Sequence, residues 1–164
     1  METLTQPRRL LALLALAVLA AGCTRTRETR WDAVQTQKTP AVAKEAIEGS
    51  EFNKFFPKAE SPWDLVYKQE KKGTAIASLK KEGKEVATLT VFDTVSNPEA
   101  IAEYKESTQA LAGWPLVAKG AKGTAILVNR RLQVQVRSAE DALDEDGRKE
   151  WLKKFDLDGL AKLE

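Results

Sequence analysis

The sequence predicts an α+β domain: an antiparallel sheet of about five strands with two main helices packed on one face. Short runs alternate apolar and polar residues with a period of two, which is typical of strands covered on one side. Polar turn residues separate these runs, as they do in hairpins. Two segments, 97–113 and 145–155, carry the start signals and apolar spacing of helices.

The domain is expected to begin at Ser50 with one helical turn. Phe52, Phe55 and Phe56 have the i, i+3, i+4 spacing of a single helix face, and Pro57 ends the run. We interpret this face as part of the core. A lipid-inserting aromatic patch is the functional alternative, although a free apolar patch is costly on a soluble domain.

Residues 63–70, 74–80 and 85–93 are predicted to be consecutive strands, and the last two form a hairpin around the turn 81–84. Because strand geometry places every second residue on the same face, one face of this hairpin should be apolar. That core face would consist of Ala75, Ala77, Leu79, Ala87, Leu89 and Val91.

A helix is expected after this hairpin, because Asn97 is a good N-cap and Pro98 suits the first helical position. Gly113 would end the helix. Its inner stripe would be formed by Ile101, Tyr104, Thr108 and Leu111. The proline and glycines in and around residues 114–122 then favour a loop.

A second hairpin is predicted from residues 124–129 and 132–138, with Arg130-Arg131 in the connection. Its last strand alternates without a break, so one face of the sheet should contact water there. The inward set is Leu132, Val134 and Val136, and the outward set is Gln133, Gln135 and Arg137. The apolar cover of the closing helix and the C-terminal segment would be Trp151, Leu152, Phe155, Leu157, Leu160 and Leu163.

A short internal repeat precedes both hairpins. Residues 72–76 read Lys-Gly-Thr-Ala-Ile, and residues 122–126 repeat those five letters. Two duplicated β-β-α units would explain the repeat and would place both helices on the same face of the sheet. A coincidence in a chain rich in lysine, alanine and threonine is the alternative.

The N-terminus has the three parts of an export signal. Arg8 and Arg9 supply positive charge, residues 10–21 are twelve uncharged apolar residues, and small residues lead directly into Cys23, the only cysteine. A membrane span needs roughly 20 apolar residues, so this run is too short for a permanent transmembrane helix. Ala20-Ala21-Gly22-Cys23 resembles the lipobox of bacterial lipoproteins, with Ala20 where that family usually has leucine.

The resemblance implies that residues 1–22 are a signal peptide cleaved between Gly22 and Cys23. Cys23 would then carry fatty acyl chains such as palmitate, and two or three chains anchor a protein durably. The mature protein would be membrane-anchored and extracytoplasmic. In a two-membrane host with Asp-type sorting, Thr24 points to the outer membrane, and otherwise the cell membrane is expected. Residues 23–49 would form the lipidated N-terminus and a flexible tether, and residues 50–164 a single domain.

Composition excludes several classes of chemistry. The chain has no histidine, so Ser-His-Asp and Cys-His machinery and histidine-ligated zinc are excluded. Removal of the leader takes away two arginines and one glutamate, so the net charge falls from +2 to +1, and no nucleic-acid partner is expected. The sequence contains no phosphate loop, nucleotide fingerprint or serine elbow. We therefore expect no cofactor.

Acidic clusters do not change this expectation. Residues 144–147 resemble a calcium loop at first, but that alignment places Ala142 at the first ligand position and Lys153 at the twelfth, where acidic residues are required. Residues 156–159 fail in the same way. Negative charge at helix N-termini explains both clusters better, so no metal site is expected.

Three residues are the candidate partner contacts. Trp114 lies in a long predicted connection, and connections often carry function, although a tryptophan folded back onto the core is the plainer interpretation. Arg130 and Arg131 belong to a set of basic residues at predicted turns, which either keep the domain soluble or contact an acidic envelope protein or anionic lipid.

These observations favour a membrane-anchored envelope lipoprotein that acts as a non-enzymatic binding or assembly module. Two alternatives remain open. A carboxylate-dependent envelope hydrolase would need an enclosed pocket with converging acidic side chains. A small-ligand or lipid carrier would need a cavity between the sheet and the helices.

Overall fold

The computed structural model describes residues 42–163, in which seven strands form one antiparallel sheet with short helices on both faces. The α+β class is confirmed, whereas the expectation of about five strands is wrong because residues 109–118 contribute two more. The strands are β1 Trp63–Lys71, β2 Thr74–Lys81, β3 Lys84–Asp93, β4 Gln109–Leu111, β5 Trp114–Ala118, β6 Gly123–Val128 and β7 Leu132–Ser138. The predicted signal peptide, Cys23 and the tether up to residue 41 lie outside the described residues.

The sheet is made of two meanders that meet at its centre. The spatial order is β1-β2-β3-β7-β6-β5-β4, so β3 of the first meander pairs with β7 of the second. Asp93, the last residue of β3, lies opposite Leu132, the first residue of β7. The end of β3 and the connection between β6 and β7 therefore lie at the same end of the sheet, which we call the Asp93 end.

The predicted core face of the first hairpin is confirmed. In the β2–β3 ladder Ala77 lies opposite Leu89, and all six predicted core residues are fully buried. The alternation of β7 is also confirmed, because Leu132, Val134 and Val136 are buried on this same face. Period-two alternation predicted these faces correctly because each strand is covered by the main core on that side.

The main core is covered by three helical segments. A 3-10 helix, Gly49–Phe55, carries Phe52 and Phe55 of the predicted phenylalanine face, Phe56 follows it directly in extended conformation, and all three are buried. The closing helix and the segment after it also pack here through Trp151, Leu152, Phe155, Leu157 and Leu160. At its N-terminus the Asp144 carboxylate accepts a hydrogen bond from the Gly147 N–H at 2.7 Å, as expected of an acidic N-cap.

The helix predicted over residues 97–113 is largely wrong. Its helical part comprises the 3-10 turn Pro98–Ile101 and the four-residue helix α1, Ala102–Lys105. The Ser107 hydroxyl accepts a hydrogen bond from the Gln109 N–H and donates one to the Leu116 carbonyl, and these bonds direct the chain into β4. Serine competes with helical hydrogen bonding in this way.

The loop predicted over residues 114–122 is also wrong, because its first half is strand β5. Ala112 and Gly113 both have positive φ, of 51° and 83°, which is the geometry of a two-residue hairpin turn between β4 and β5. Gly113 therefore reverses a strand and does not end a helix. The remaining helices are α2, Glu145–Lys153, and α3, Leu157–Leu160.

The expectation that both main helices share one face is wrong. Tyr104 of α1 packs on Ala125 and Leu127 of β6, whereas α2 packs on the main core, which contains Ile126. Alternate residues of one strand point to opposite faces, so α1 and α2 lie on opposite sides of the sheet.

The same fact separates the two copies of the five-residue repeat. Ala75 belongs to the main core, whereas Ala125, its counterpart in the repeat, lies beneath Tyr104 on the other face. If a rotation mapped one half of the sheet onto the other, equivalent residues of the two units would lie on the same face of the sheet. The repeat therefore does not mark a symmetric duplication of β-β-α units.

The folded domain starts before Ser50. The Ala43 N–H donates a hydrogen bond to the Ser96 hydroxyl at 2.9 Å, and the Gly73 N–H donates to the Ile47 carbonyl at 2.6 Å. Gly49 packs so closely that an added Cβ would lie 2.4 Å from the Thr74 carbonyl oxygen. Residues 43–49, expected to be tether, are thus fastened to the sheet. Among residues 42–163 no helix has both the length and the apolar character needed to cross a bilayer.

The N-terminal segment is attached to the sheet chiefly through Asp93, whose side chain is fully buried. Its carboxylate accepts hydrogen bonds from the backbone N–H groups of Ile47 and Val95 at 3.0 and 3.1 Å. The Arg131 guanidinium donates two more, from Nε at 3.0 Å and from Nη2 at 2.9 Å. Burial by itself would raise the pKa of Asp93, but these hydrogen bonds and the charge of Arg131 outweigh it and lower the pKa.

We expect Asp93→Ala to reduce the free energy of unfolding by about 3 to 5 kcal/mol, because it leaves the Arg131 charge and two backbone N–H groups without their acceptor. Urea unfolding followed by tryptophan fluorescence measures the loss. The matched control is Asp141→Ala, since that aspartate side chain is 95 % exposed. Its effect should stay within about 0.5 kcal/mol.

The contribution of Asp93 should also depend on pH. Because folding lowers its pKa, the stabilisation is complete above the unfolded value of about 3.9 and is lost as the pH falls through the lower folded value. The difference in stability between the wild type and Asp93→Ala should therefore be constant above about pH 5 and shrink in stronger acid. A difference that grew on acidification would contradict this assignment.

Candidate functional site

The connection between β6 and β7 places two neighbouring arginines in different environments. Asn129 and Arg130 both adopt positive φ, of 49° and 56°, and the Arg131 N–H closes the turn onto the Val128 carbonyl at 3.0 Å. This turn lies at the Asp93 end of the sheet, where the Thr94 N–H donates to the Arg131 carbonyl at 3.0 Å.

Arg131 is engaged within the domain. Besides its two hydrogen bonds to Asp93, its Nη2 donates to the Glu45 carbonyl at 2.9 Å. The hydrogen bonds to Asp93 raise the pKa of the guanidinium further, so it stays charged. Its charge is balanced by Asp93, and the side chain joins the N-terminal segment to the turn.

Arg130 is exposed and lines an open cleft of about 310 Å³. We call it the Arg130 cleft. It is lined by Glu45, Thr94, Val95, Pro98, Ile101, Arg130 and Arg131. Val95 is one of three large hydrophobic residues that are clearly exposed among residues 42–163, with 37 % of its surface accessible.

The chemistry of the Arg130 cleft is mixed. Val95, Pro98 and Ile101 give it an apolar wall, Arg130 adds a cation that has no ion pair among the described residues, and Glu45 adds a carboxylate. A side chain or short segment that combines an apolar group with an acidic one fits this arrangement better than a purely charged ligand does.

The structure places Trp114 apart from this cleft. It begins β5, is partly buried and packs against the main core. The sequence-based candidates are therefore brought together only in part: Arg130 and Arg131 share one cleft, and Trp114 lies along the core.

A second open cleft, of about 320 Å³, is lined by three glutamates and is therefore the place to look for the acidic pair of a hydrolase. Glu103, Glu106 and Glu145 line it together with residues 107–109 of the β4 approach and residues of β5. Two of the three are ion-paired: Glu103 with Lys119, and Glu145 with Lys149 at 2.6 Å. The hydrogen bond from Lys149 lowers the pKa of Glu145, so this group is ionised at neutral pH.

A third cleft, of about 370 Å³, shows a residue that sequence reasoning missed. Arg148 of α2 is buried, with 7 % of its surface accessible. Its Nε donates to the Thr124 hydroxyl at 2.9 Å and its Nη1 to the Leu143 carbonyl at 3.0 Å. The sequence offers one indication of the role of Arg148: it lies one turn after the start of a helix whose first residues are acidic. Its hydrogen bond to Thr124 joins α2 to β6. The cleft has four acidic lining residues, Glu140, Asp141, Asp144 and Glu145, against Lys122 and Arg148, and this excess of negative charge disfavours an anion.

Within the part of the chain that the structure describes, no three acidic side chains are grouped so that they could hold a metal ion. Cys23, the predicted lipidation site, and Gly22 lie outside this part. Comparison with protein-family models, with characterised proteins and with solved structures finds no match to this chain.

The two arginines should respond differently to truncation. We expect Arg131→Ala to reduce the free energy of unfolding by about 3 to 5 kcal/mol, because it leaves the buried Asp93 carboxylate unpaired. Arg130→Ala removes an exposed side chain and should change stability by no more than about 0.5 kcal/mol. Urea unfolding of both variants checks this, and equal losses would contradict the division of roles.

Proposed function

We propose that the protein is a membrane-anchored envelope lipoprotein that acts as a non-enzymatic binding module, and that the Arg130 cleft receives its protein partner. The observation that carries the proposal is that the chain from the lipobox enters the domain beside this cleft. Glu45 lines the cleft, and its carbonyl is bound by Arg131.

The anchor half of the proposal is supported by the leader sequence. Small residues lead directly into the single cysteine, as in bacterial lipoproteins. Eighteen residues separate Cys23 from Val42, and a chain of that length spans at most about 60 Å. An acyl anchor at Cys23 would therefore keep the Asp93 end, where residues 43–47 are fastened, within that distance of the membrane surface.

The chemistry of the cleft favours a protein over anionic lipid. A surface suited to phosphate headgroups needs several free cations, each adding about 1 kcal/mol near an anionic membrane. Of the two arginines in the cleft, Arg131 is balanced by Asp93, and Glu45 opposes a phosphate. The apolar wall of Val95, Pro98 and Ile101 instead suits a buried side chain of a partner, flanked by an acidic residue that pairs with Arg130.

The direction of the carboxylate pKa shifts supports a binding role over hydrolysis. A general acid at neutral pH needs a raised carboxyl pKa. Hydrogen bonding to Lys68 lowers the pKa of Glu85, hydrogen bonding to Lys149 lowers that of Glu145, and the pKa of Asp93 is also lowered. A carrier role is supported less, because Phe52, Leu152 and Leu160 fill the space between the sheet and its helical cover and are fully buried.

The proposal is tested by photocrosslinking in the native envelope. A photoreactive amino acid at Val95 of the full chain should give a discrete adduct with one protein. Arg130→Glu should reduce that adduct about tenfold, because it replaces the attraction for an acidic partner by repulsion. The matched control is Lys84→Glu, the same charge change at the β2–β3 turn, at the opposite end of the sheet, and it should leave the adduct unchanged.

Two outcomes would contradict the proposed cleft. An adduct that persists equally in Arg130→Glu would show that the partner does not use the cleft. Adducts with lipid alone, matched by binding of the purified protein to anionic vesicles, would assign the surface to the membrane.

A further inference from the structure

Strand β1 is a long open edge of the sheet. It comprises nine residues and pairs with β2 on one side only. Val66 and Tyr67 are 38 and 40 % accessible, and with Val95 they are the large hydrophobic residues that stand out as exposed within residues 42–163. By comparison, the edge strand at the other side of the sheet, β4, has three residues. Open edges of this length are templates for pairing with another strand.

The register of β1 shows which backbone groups are free. The Glu82 N–H donates to the Pro62 carbonyl at 3.0 Å, so position 62 bonds towards β2. In an antiparallel pair alternate residues bond to the neighbouring strand, so Asp64 and Val66 also bond towards β2. Leu65 and Tyr67 therefore direct their N–H and C=O groups outward, where the described residues offer them no backbone partner.

We propose that two copies of this chain pair antiparallel through β1, about a two-fold axis at Val66. This register places Val66 opposite Val66 of the second copy and Leu65 opposite its Tyr67. Because Leu65 and Tyr67 both direct their backbone groups outward, they form the hydrogen-bonded pair, and Val66 lies at a non-hydrogen-bonded position. The sheets of the two copies would then form one continuous antiparallel sheet.

The charges along β1 favour a second copy of this chain as the strand that pairs with this edge. In the Val66-centred register Asp64 lies opposite Lys68 of the second copy, and the symmetry makes this pair twice. Asp64 is exposed and forms no ion pair among residues 42–163. Lys68 contacts Glu85 at 2.5 Å and keeps 48 % of its side chain accessible, so it can be shared between the two carboxylates.

The neighbouring registers fit less well. A shift that centres the axis on Tyr67 places Asp64 opposite Glu70, and like charges directly opposite are destabilising. A shift that centres it on Leu65 leaves Asp64 opposite Val66 and loses both charge pairs. Lys68 is the extra residue of the bulge between Tyr67 and Gln69, so the regular edge ends at the Asp64–Lys68 pair, and the paired segment is short and the dimer weak in dilute solution. Attachment to one membrane would raise the effective concentration of the two copies.

Disulfide trapping tests the register. Residues opposite each other at a non-hydrogen-bonded position have Cα atoms about 4.5 Å apart, which lies within the range that a disulfide spans. Val66→Cys in the full membrane-anchored chain should therefore form a disulfide-linked dimer on mild oxidation, seen on non-reducing gels. The matched control is Val95→Cys, a similarly exposed valine away from β1, which should crosslink no more than the wild type.

A charge reversal gives the second test. Asp64→Lys in the Val66→Cys chain places lysine opposite Lys68 at both symmetric positions and should reduce the crosslinked fraction about tenfold. Asp141→Lys, the same change at an exposed site away from β1, should leave it unchanged. Crosslinking of Val66→Cys no greater than that of Val95→Cys, or unaltered by Asp64→Lys, would overturn the dimer. Arg130→Glu should not affect this crosslink, so the proposed partner cleft and the dimer can fail separately.

Discussion

The positions of the domain's N-terminal segment and of the β6–β7 turn are set by the buried carboxylate of Asp93. It holds three parts of the chain together: the N-terminal segment at Ile47, the end of β3, and the β6–β7 turn through Arg131. A buried charge is tolerated only when its hydrogen-bonding capacity is filled, and four donated bonds do so here. The same arrangement fixes the point at which the chain enters the domain, shapes one wall of the Arg130 cleft, and leaves Arg130 as the cation available to a ligand there.

The sequence predicted those parts of the fold that local pattern determines. The β2–β3 hairpin and the faces of β7 followed from period-two alternation and turn residues, which are short-range signals. The segment 97–113 was misjudged because its alanine and glutamate content favours a helix and Gly113 is equally suited to a helix end and a hairpin turn. Pairing of β5 with β6 decides between these outcomes, and that contact between strands is not visible in local spacing.

The candidate site shows the same limit. Arg130 and Arg131 are adjacent, and the sequence pattern does not distinguish their roles. Their roles diverge because Asp93, thirty-eight positions before Arg131, lies beside only one of them in the folded sheet. Arg148 was missed for the same reason, since its side-chain acceptor, the Thr124 hydroxyl, is brought to it by the packing of α2 on β6. The predicted leader is different, because a processing signal of this kind would be recognised as linear sequence and needs no tertiary context.

The proposal that an acylated Cys23 holds this domain at a membrane underlies the function assigned to the Arg130 cleft. Mass spectrometry of the protein isolated from its host membrane tests it most directly. The proposed anchor requires a mature chain that begins at Cys23 and carries the added mass of a diacylglycerol group with or without a further acyl chain. A chain that retains Met1, or one with a free thiol at Cys23, would contradict it.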